Sequence, residues 1–110
     1  MIATYSGDYG KPRPGVIVQA SAFNQSHETV VLCPITSHLT GLSMFRVPLA
    51  RSAATGLHQD SEIMVDKITV SKRQRIRQRV GRLSAEQLGE VNAALRTWLD
   101  LPESAPDYKK

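Results

Sequence analysis

Helical periodicity occurs once in this chain, and it occurs last. Ser84, Ala85, Glu86 and Gln87 form a capping-box pattern, and Leu88, Val91, Leu95, Trp98 and Leu99 follow at spacings that build one apolar helix face. Pro102 cannot continue a helix and is expected to stop this one. Everything before residue 84 is apolar in short bursts, rich in β-branched residues and broken by turn-forming residues, which is the pattern of strands. A chain of this kind is committed to a sheet that buries one face beneath a single terminal helix.

The bursts predict strands over residues 15–20, 29–36, 45–49, 62–70 and 75–80, a turn over 24–28 and one helical turn over 71–74. Pro12 and Pro14 keep the segment before the first of these as an extended loop, and Pro34 points to a strand end, an edge or a bulge. Five or six short strands and one helix predict a mostly β fold with a C-terminal α-helix, a small curled antiparallel barrel. A chain of 110 residues has room for one core. That domain is assigned to residues 1–101, with 102–110 a loose tail of Pro, Ser and charge.

No apolar run approaches the roughly 18 residues that a bilayer span requires. The opening Met1-Ile2-Ala3-Thr4-Tyr5 has neither a basic start nor an apolar stretch of export-signal length. The expected setting is therefore the cytoplasm, with no membrane partner. Cys33 is the only cysteine, which excludes an internal disulfide and a multi-cysteine metal cage. At mid-strand it reads as a small core residue. His27, His38 and His58 lack the spacing of a zinc site, so no metal or cofactor is expected. Two imidazoles can exchange protons with a ribose hydroxyl, but nothing in the sequence brings two together. Fourteen Lys and Arg against ten Asp and Glu give a net charge of +4, a balance that favours anionic partners such as nucleic acid or an acidic peptide.

Two stretches carry candidate chemistry. In Gly7-Asp8-Tyr9-Gly10-Lys11-Pro12-Arg13-Pro14, an arginine stands between two prolines that restrict its backbone and fix its direction. A guanidinium can hold two phosphate oxygens with its forked donors, and the competing reading is a loop arginine paired with Asp8. In Pro34-Ile35-Thr36-Ser37-His38 a strand ends in two hydroxyls able to donate to a phosphate or a developing oxyanion. The competing reading there is that they satisfy local backbone groups. Farther on, seven basic residues and no acidic ones lie between Lys67 and Arg82. Arg75, Arg77 and Arg79 would share one strand face, either as a track for RNA or as charges that keep an edge strand from associating.

The Gly-Lys-Pro-Arg-Pro loop leading into an aliphatic strand, the Pro-Ile-Thr-Ser strand end and the later Met64-Val65-Asp66-Lys67 together resemble the MazF/PemK toxin family. The resemblance runs from Gly7 to Leu101. It implies an SH3-like, CcdB-like barrel and a metal-independent endoribonuclease that cuts single-stranded mRNA by attack of a 2′-hydroxyl on the adjacent phosphate. By position, Arg13 corresponds to the family's catalytic arginine and Thr36 to its catalytic threonine. Asp8, Lys11, Ser37, Arg75 and Arg77 would help to bind substrate. Arg13 would bind the phosphate and assist proton transfer; on physical grounds its stronger role is charge stabilisation, since an arginine is a poor general base. The implied partners are single-stranded RNA, a cognate antitoxin and a second copy of the chain in a homodimer. Only Ile2 to Ser6 precede Gly7, so the first strand is expected to be short.

Two other function classes compete. One is a non-catalytic toxin on the same barrel, similar to the CcdB proteins that bind and poison DNA gyrase. Those end in an apolar tail containing tryptophan, whereas this chain ends Asp107-Tyr108-Lys109-Lys110. The other is an inactive family member kept as a binding module, against which stands the presence of both Arg13 and Thr36. Bases could be read by residues 40–43 or by residues 50–60, and spacing does not rank the two loops.

Overall fold

The structure is a computed structural model that describes residues 1–6, 11–19, 26–41 and 44–102. It contains seven strands, β1 (Ile2–Ser6), β2 (Pro12–Ile17), β3 (Thr29–Thr36), β4 (Arg46–Leu49), β5 (Ser61–Met64), β6 (Thr69–Lys72) and β7 (Ile76–Gly81), followed by helix α1 (Ala85–Trp98). All recorded pairings are antiparallel, in the order β4-β5-β3-β2-β1-β7 with β6 also on β3. The mostly β fold with a terminal helix is as expected. Strand pairing does not close the barrel, because among the described residues β4 and β7 end an open path.

The prolines explain the path of β2 and β3. β2 begins at Pro12 rather than at residue 15, so the Pro-Arg-Pro triplet is strand and not loop. It pairs with β1 along its length, Ser6 opposite Pro12 and Thr4 opposite Pro14, while its pairing with β3 runs only from Gly15 to Ile17. Pro12 and Pro14 thus occupy an overhang with a neighbour on one side, where a missing N–H costs no ladder bond. Pro34 sits in an equivalent gap. β3 pairs with β6 over Thr29 to Leu32 and with β5 over Ile35 and Thr36, which leaves Cys33 and Pro34 without a partner on that side.

The strand expected over 62–70 is split. Two residues of β3 lie between Leu32 and Ile35, but five lie between their partners Thr69 and Ile63, and the surplus of three is a 3-10 turn at Val65–Lys67. This bulge turns Val65 inward, where it is fully buried, and Val65 accepts the Ile68 N–H at 3.1 Å. The helical turn expected at 71–74 is a 3-10 turn at Arg73–Arg75. Arg75 therefore lies on that turn, and only Arg77 and Arg79 of the three arginines share β7.

Ser84 caps α1 as the sequence indicates: its hydroxyl accepts the Gln87 N–H at 3.1 Å, and its own N–H donates to the Gln87 amide at 2.8 Å. The helix stops before Pro102. Asp100 takes a left-handed φ of 55°, the Leu101 N–H reaches the Arg96 carbonyl at 2.8 Å and the Asp100 N–H reaches that of Thr97. This is a Schellman close with Asp in the place usually held by Gly. The apolar face is only partly used. Val91 and Ala94 bury against the sheet, whereas Leu88, Trp98 and Leu99 stay 47, 43 and 45% exposed. Trp98 keeps one edge-on contact, with Phe45 at 4.8 Å between ring centres. α1 packs on β4 and the Val65–Lys67 turn.

Ile2, Val16, Cys33, Ile63, Val65 and Val91 form the main core, and Ala3, Ile17 and Val30 a smaller one with Ile76. Cys33 has no exposed surface, and burial pushes its thiol up to about 11. It should be inert in the folded protein, since thiolate is the reactive form. Incubation with a thiol-specific reagent at pH 7 is expected to leave Cys33 unmodified until denaturant is added; rapid labelling without denaturant would contradict this packing. No helix among the described residues is long and apolar enough to cross a membrane.

Candidate active site

The β2–β3 ladder ends at Gly15 opposite Pro34, and two residues beyond that pair along each strand lie Arg13 and Thr36. Both line a cavity of about 520 Å³, together with Ser37, Pro14 and Ile35. Arg13 is exposed and stands across from Tyr5 of β1. Burial raises the Tyr5 hydroxyl above its ordinary value of 10.0, an effect that the Arg13 charge opposes, so this phenol stays protonated at neutral pH. Thr36 accepts the His38 N–H at 3.1 Å through its hydroxyl oxygen. That bond fixes the side chain and leaves its own hydrogen free to donate toward the cavity.

The segment between β4 and β5 also contributes to the lining, and its backbone is locked to β7. The Thr55 N–H and hydroxyl bond Ser52, the Gly56 N–H reaches the Ser52 carbonyl at 3.0 Å, and the Arg82 N–H reaches the Ala54 carbonyl at 3.0 Å. Gly56 has φ +73° and lies so near β7 that a Cβ there would stand 2.1 Å from the Val80 carbonyl oxygen; a Cβ on Gly81 would stand 2.2 Å from that of Thr55. Asp60 closes the segment by accepting the Arg51 N–H at 3.0 Å. Leu57, His58 and Gln59 are thereby presented to the cavity from a fixed frame. Among the described residues, Arg13 and His58 are the charged or titratable side chains in its lining.

A partly buried ion cluster links β4, β5 and the Val65–Lys67 turn. Arg46 of β4 donates to Asp66 through Nε at 2.8 Å and through its second nitrogen at 3.3 Å, and lies 3.8 Å from Glu62 of β5. Glu62 also accepts the N–H groups of Thr40 and Gly41, at 3.1 and 2.9 Å, and the Thr40 hydroxyl at 3.0 Å. It thus holds the segment that follows Thr36 and Ser37. The Gly41 N–H, more than any other group, keeps the Glu62 carboxyl below its ordinary 4.5, and the Arg46 hydrogen bond keeps Asp66 below 3.8. Carboxyls depressed in the folded state contribute stability that is complete above those ordinary values and is lost as pH falls through the folded ones. Thermal melts between pH 7 and pH 2.5 should therefore show Tm falling below about pH 4.5, and falling less steeply in Glu62→Gln; parallel curves would remove Glu62 from this role.

Of the residues expected from sequence, Arg13, Thr36 and Ser37 come together at the cavity. Lys11, Arg75 and Arg77 are exposed and do not line it. Arg77 donates instead to the Ser6 hydroxyl at 2.6 Å. Asp8 lies outside the described residues. His58, Gln59 and Met64 also line the cavity, though sequence reasoning does not assign them to the site. In the sequence His58 figures only as one of a pair of imidazoles, Met64 only as part of a family motif, and His58 and Gln59 fall in the loop at 50–60. Among the described residues, no group of three or more His, Cys, Asp or Glu side chains is placed to hold a metal ion.

Residues 2–99 match the family described as PemK-like, MazF-like toxin of type II toxin-antitoxin system. The chain is 34% identical over 92 residues to the probable endoribonuclease MazF of Mycolicibacterium smegmatis, covering 84% of each protein. It is 30% identical over 94 residues to endoribonuclease MazF9 of Mycobacterium tuberculosis, covering 81% of this chain and 79% of that one. Among solved structures, the Mycobacterium tuberculosis toxin MazF-mt6 superposes with a TM-score of 0.81 at 27% identity, over 92% of this chain and 97% of that one. A mycobacterial endoribonuclease in complex with its cognate antitoxin has the same fold, with a TM-score of 0.76 at 21% identity over 94% of each.

Proposed function

The chain belongs to the PemK-like, MazF-like toxin family of type II toxin-antitoxin systems, and on that premise we propose that it is an endoribonuclease toxin cutting single-stranded RNA at preferred sequences without a metal ion. The observation that carries this reading is the meeting of Arg13, Thr36 and Ser37 at one cavity on a basic chain. In the reaction, a ribose 2′-hydroxyl gives up its proton to water as its oxygen attacks the adjacent phosphorus, the bond from phosphorus to the 5′-oxygen breaks, the 5′-oxygen takes a proton from water and leaves as a hydroxyl, and a 2′,3′-cyclic phosphate remains. Arg13 supplies positive charge to the phosphate oxygens as negative charge builds on them, and Thr36 and Ser37 orient the group by donating hydrogen bonds. Arg13 acts through charge and not as a base.

Lys11, Arg75 and Arg77 lie outside the cavity and extend the attraction along the RNA backbone. A cognate antitoxin with an acidic, partly apolar tail would compete for the same basic groove. The exposed Leu88, Leu99 and Leu101 suit a homodimer contact, which sedimentation would test. The gyrase-poison alternative gains no observation from the fold or from the relatives.

Purified protein incubated in EDTA with a long single-stranded RNA is expected to give discrete fragments that end in a 2′,3′-cyclic phosphate. Intact RNA, or cutting that begins only when a divalent cation is added, would overturn the reading.

A further inference from the structure

The cavity lining carries two kinds of chemistry. Arg13, Thr36 and Ser37 offer a guanidinium and two hydroxyls, the chemistry of a phosphate seat. Leu57 and Met64 add apolar surface, and His58 and Gln59 add polar side chains. His58 and Gln59 are exposed, and neither side chain has a hydrogen-bond partner among the described residues. A cavity of about 520 Å³ has room for one nucleotide unit. With the phosphate held by Arg13, this mixture of apolar and polar side chains suits the two aspects of a nucleobase, its flat surface and its hydrogen-bonding edge.

From this arrangement we infer that His58 and Gln59 select the base beside the cut phosphate. The inference rests on the endoribonuclease reading and deepens it. A glutamine amide donates and accepts at once and so distinguishes base edges. The imidazole supplies one further polar contact and the one aromatic ring that the described residues give the lining. Selectivity also needs a rigid support, since a wall that moves with its guest discriminates poorly. That support is present: the Ser52–Thr55 bonds, the backbone contact of Gly56 with Val80 and the Asp60 closure hold the segment from both ends. The competing loop is differently occupied, for the backbone of Thr40 and Gly41 is bound to Glu62 and neither residue lines the cavity.

The test is cleavage of a single-stranded RNA library randomised in sequence, with all fragment ends read, by wild type, His58→Ala, Gln59→Ala, the double variant and His38→Ala. His38 is exposed and outside the cavity lining, so its loss removes an imidazole from the neighbouring loop alone. Wild type and His38→Ala are expected to favour one base next to the cut by about tenfold or more, and the double variant to retain cutting with that preference reduced to about twofold. The same preference in the double variant would overturn the inference while leaving the nuclease reading intact. Loss of cutting at every sequence in His58→Ala, with circular dichroism unchanged, would overturn it in favour of a role for His58 in the chemistry. If wild type cuts no member of the library, the nuclease reading itself fails, and this inference with it.

Discussion

Arg13→Ala is expected to lower RNA cleavage by about two to three powers of ten, the loss typical when a donor to a developing oxyanion is removed. Arg13 is exposed and belongs to a strand end whose backbone bonds survive the change, so Tm should move little. Arg13→Lys keeps the charge but gives up the forked geometry, and should recover only part of the rate. Thr36→Ala is expected to follow at a smaller loss, of about tenfold to a hundredfold. Its hydroxyl oxygen also anchors the His38 N–H, so Thr36→Ser is the control that retains both bonds. Single-turnover rates with one mapped RNA would measure all four. A fully active Arg13→Ala protein would remove the phosphate seat from the mechanism.

The second large effect concerns stability. Gly56→Ala forces a methyl group into the Val80 carbonyl and does so at φ +73°, a region that L-residues enter only at a cost. Gly81→Ala meets the Thr55 carbonyl from the other direction. Neither obstacle is a flexible side chain, so the backbone itself must move. Overpacking and strain together should cost about 3 kcal/mol for either change, which for a domain of this size lowers Tm by roughly 10–20 °C. Melts of the two variants beside Gly89→Ala provide the comparison, because a methyl group at Gly89 meets nothing within 4 Å and a helical glycine gains from replacement. Unchanged melting in both Gly56→Ala and Gly81→Ala would mean that the loop is not clamped to β7.

Much of this architecture was legible in the residues, for identifiable reasons. The limits of β3 were read correctly because Thr29 to Thr36 is a dense β-branched run bounded by polar residues, and the start of α1 because a capping box is a local, reciprocal device. Where reading failed, the cause was tertiary. Pro12 and Pro14 looked like breakers, and became strand residues only because β3 stops short of them. The bulge at Val65–Lys67 exists to keep apolar residues on the inner face across a corner, which no period of two can announce. Leu88, Trp98 and Leu99 have perfect helical spacing, yet how much of a helix face its sheet covers is not written in its own sequence.

The site divides in the same way. Arg13 and Thr36 could be named from their motifs, and the structure brings them to one cavity. Arg75 and Arg77 were grouped by charge alone, and a charge run does not say which of its members borders a groove. His58 and Gln59 sit in a loop without periodicity, and their placement depends on a contact with β7 more than twenty residues away.

The overhang of β2 has a consequence for what can lie along it. Arg13 is flanked by two residues without N–H groups, and beyond Gly15 no strand among the described residues lies on the side of β2 turned from β1. That margin offers the carbonyls of Pro12 and Pro14 but no amide hydrogen between them. An extended peptide that tried to join the sheet here would find acceptors only and complete half a ladder at best, so β-augmentation is disfavoured along this margin. A ribose 2′-hydroxyl, which can donate as well as accept, is able to use the two bare carbonyls.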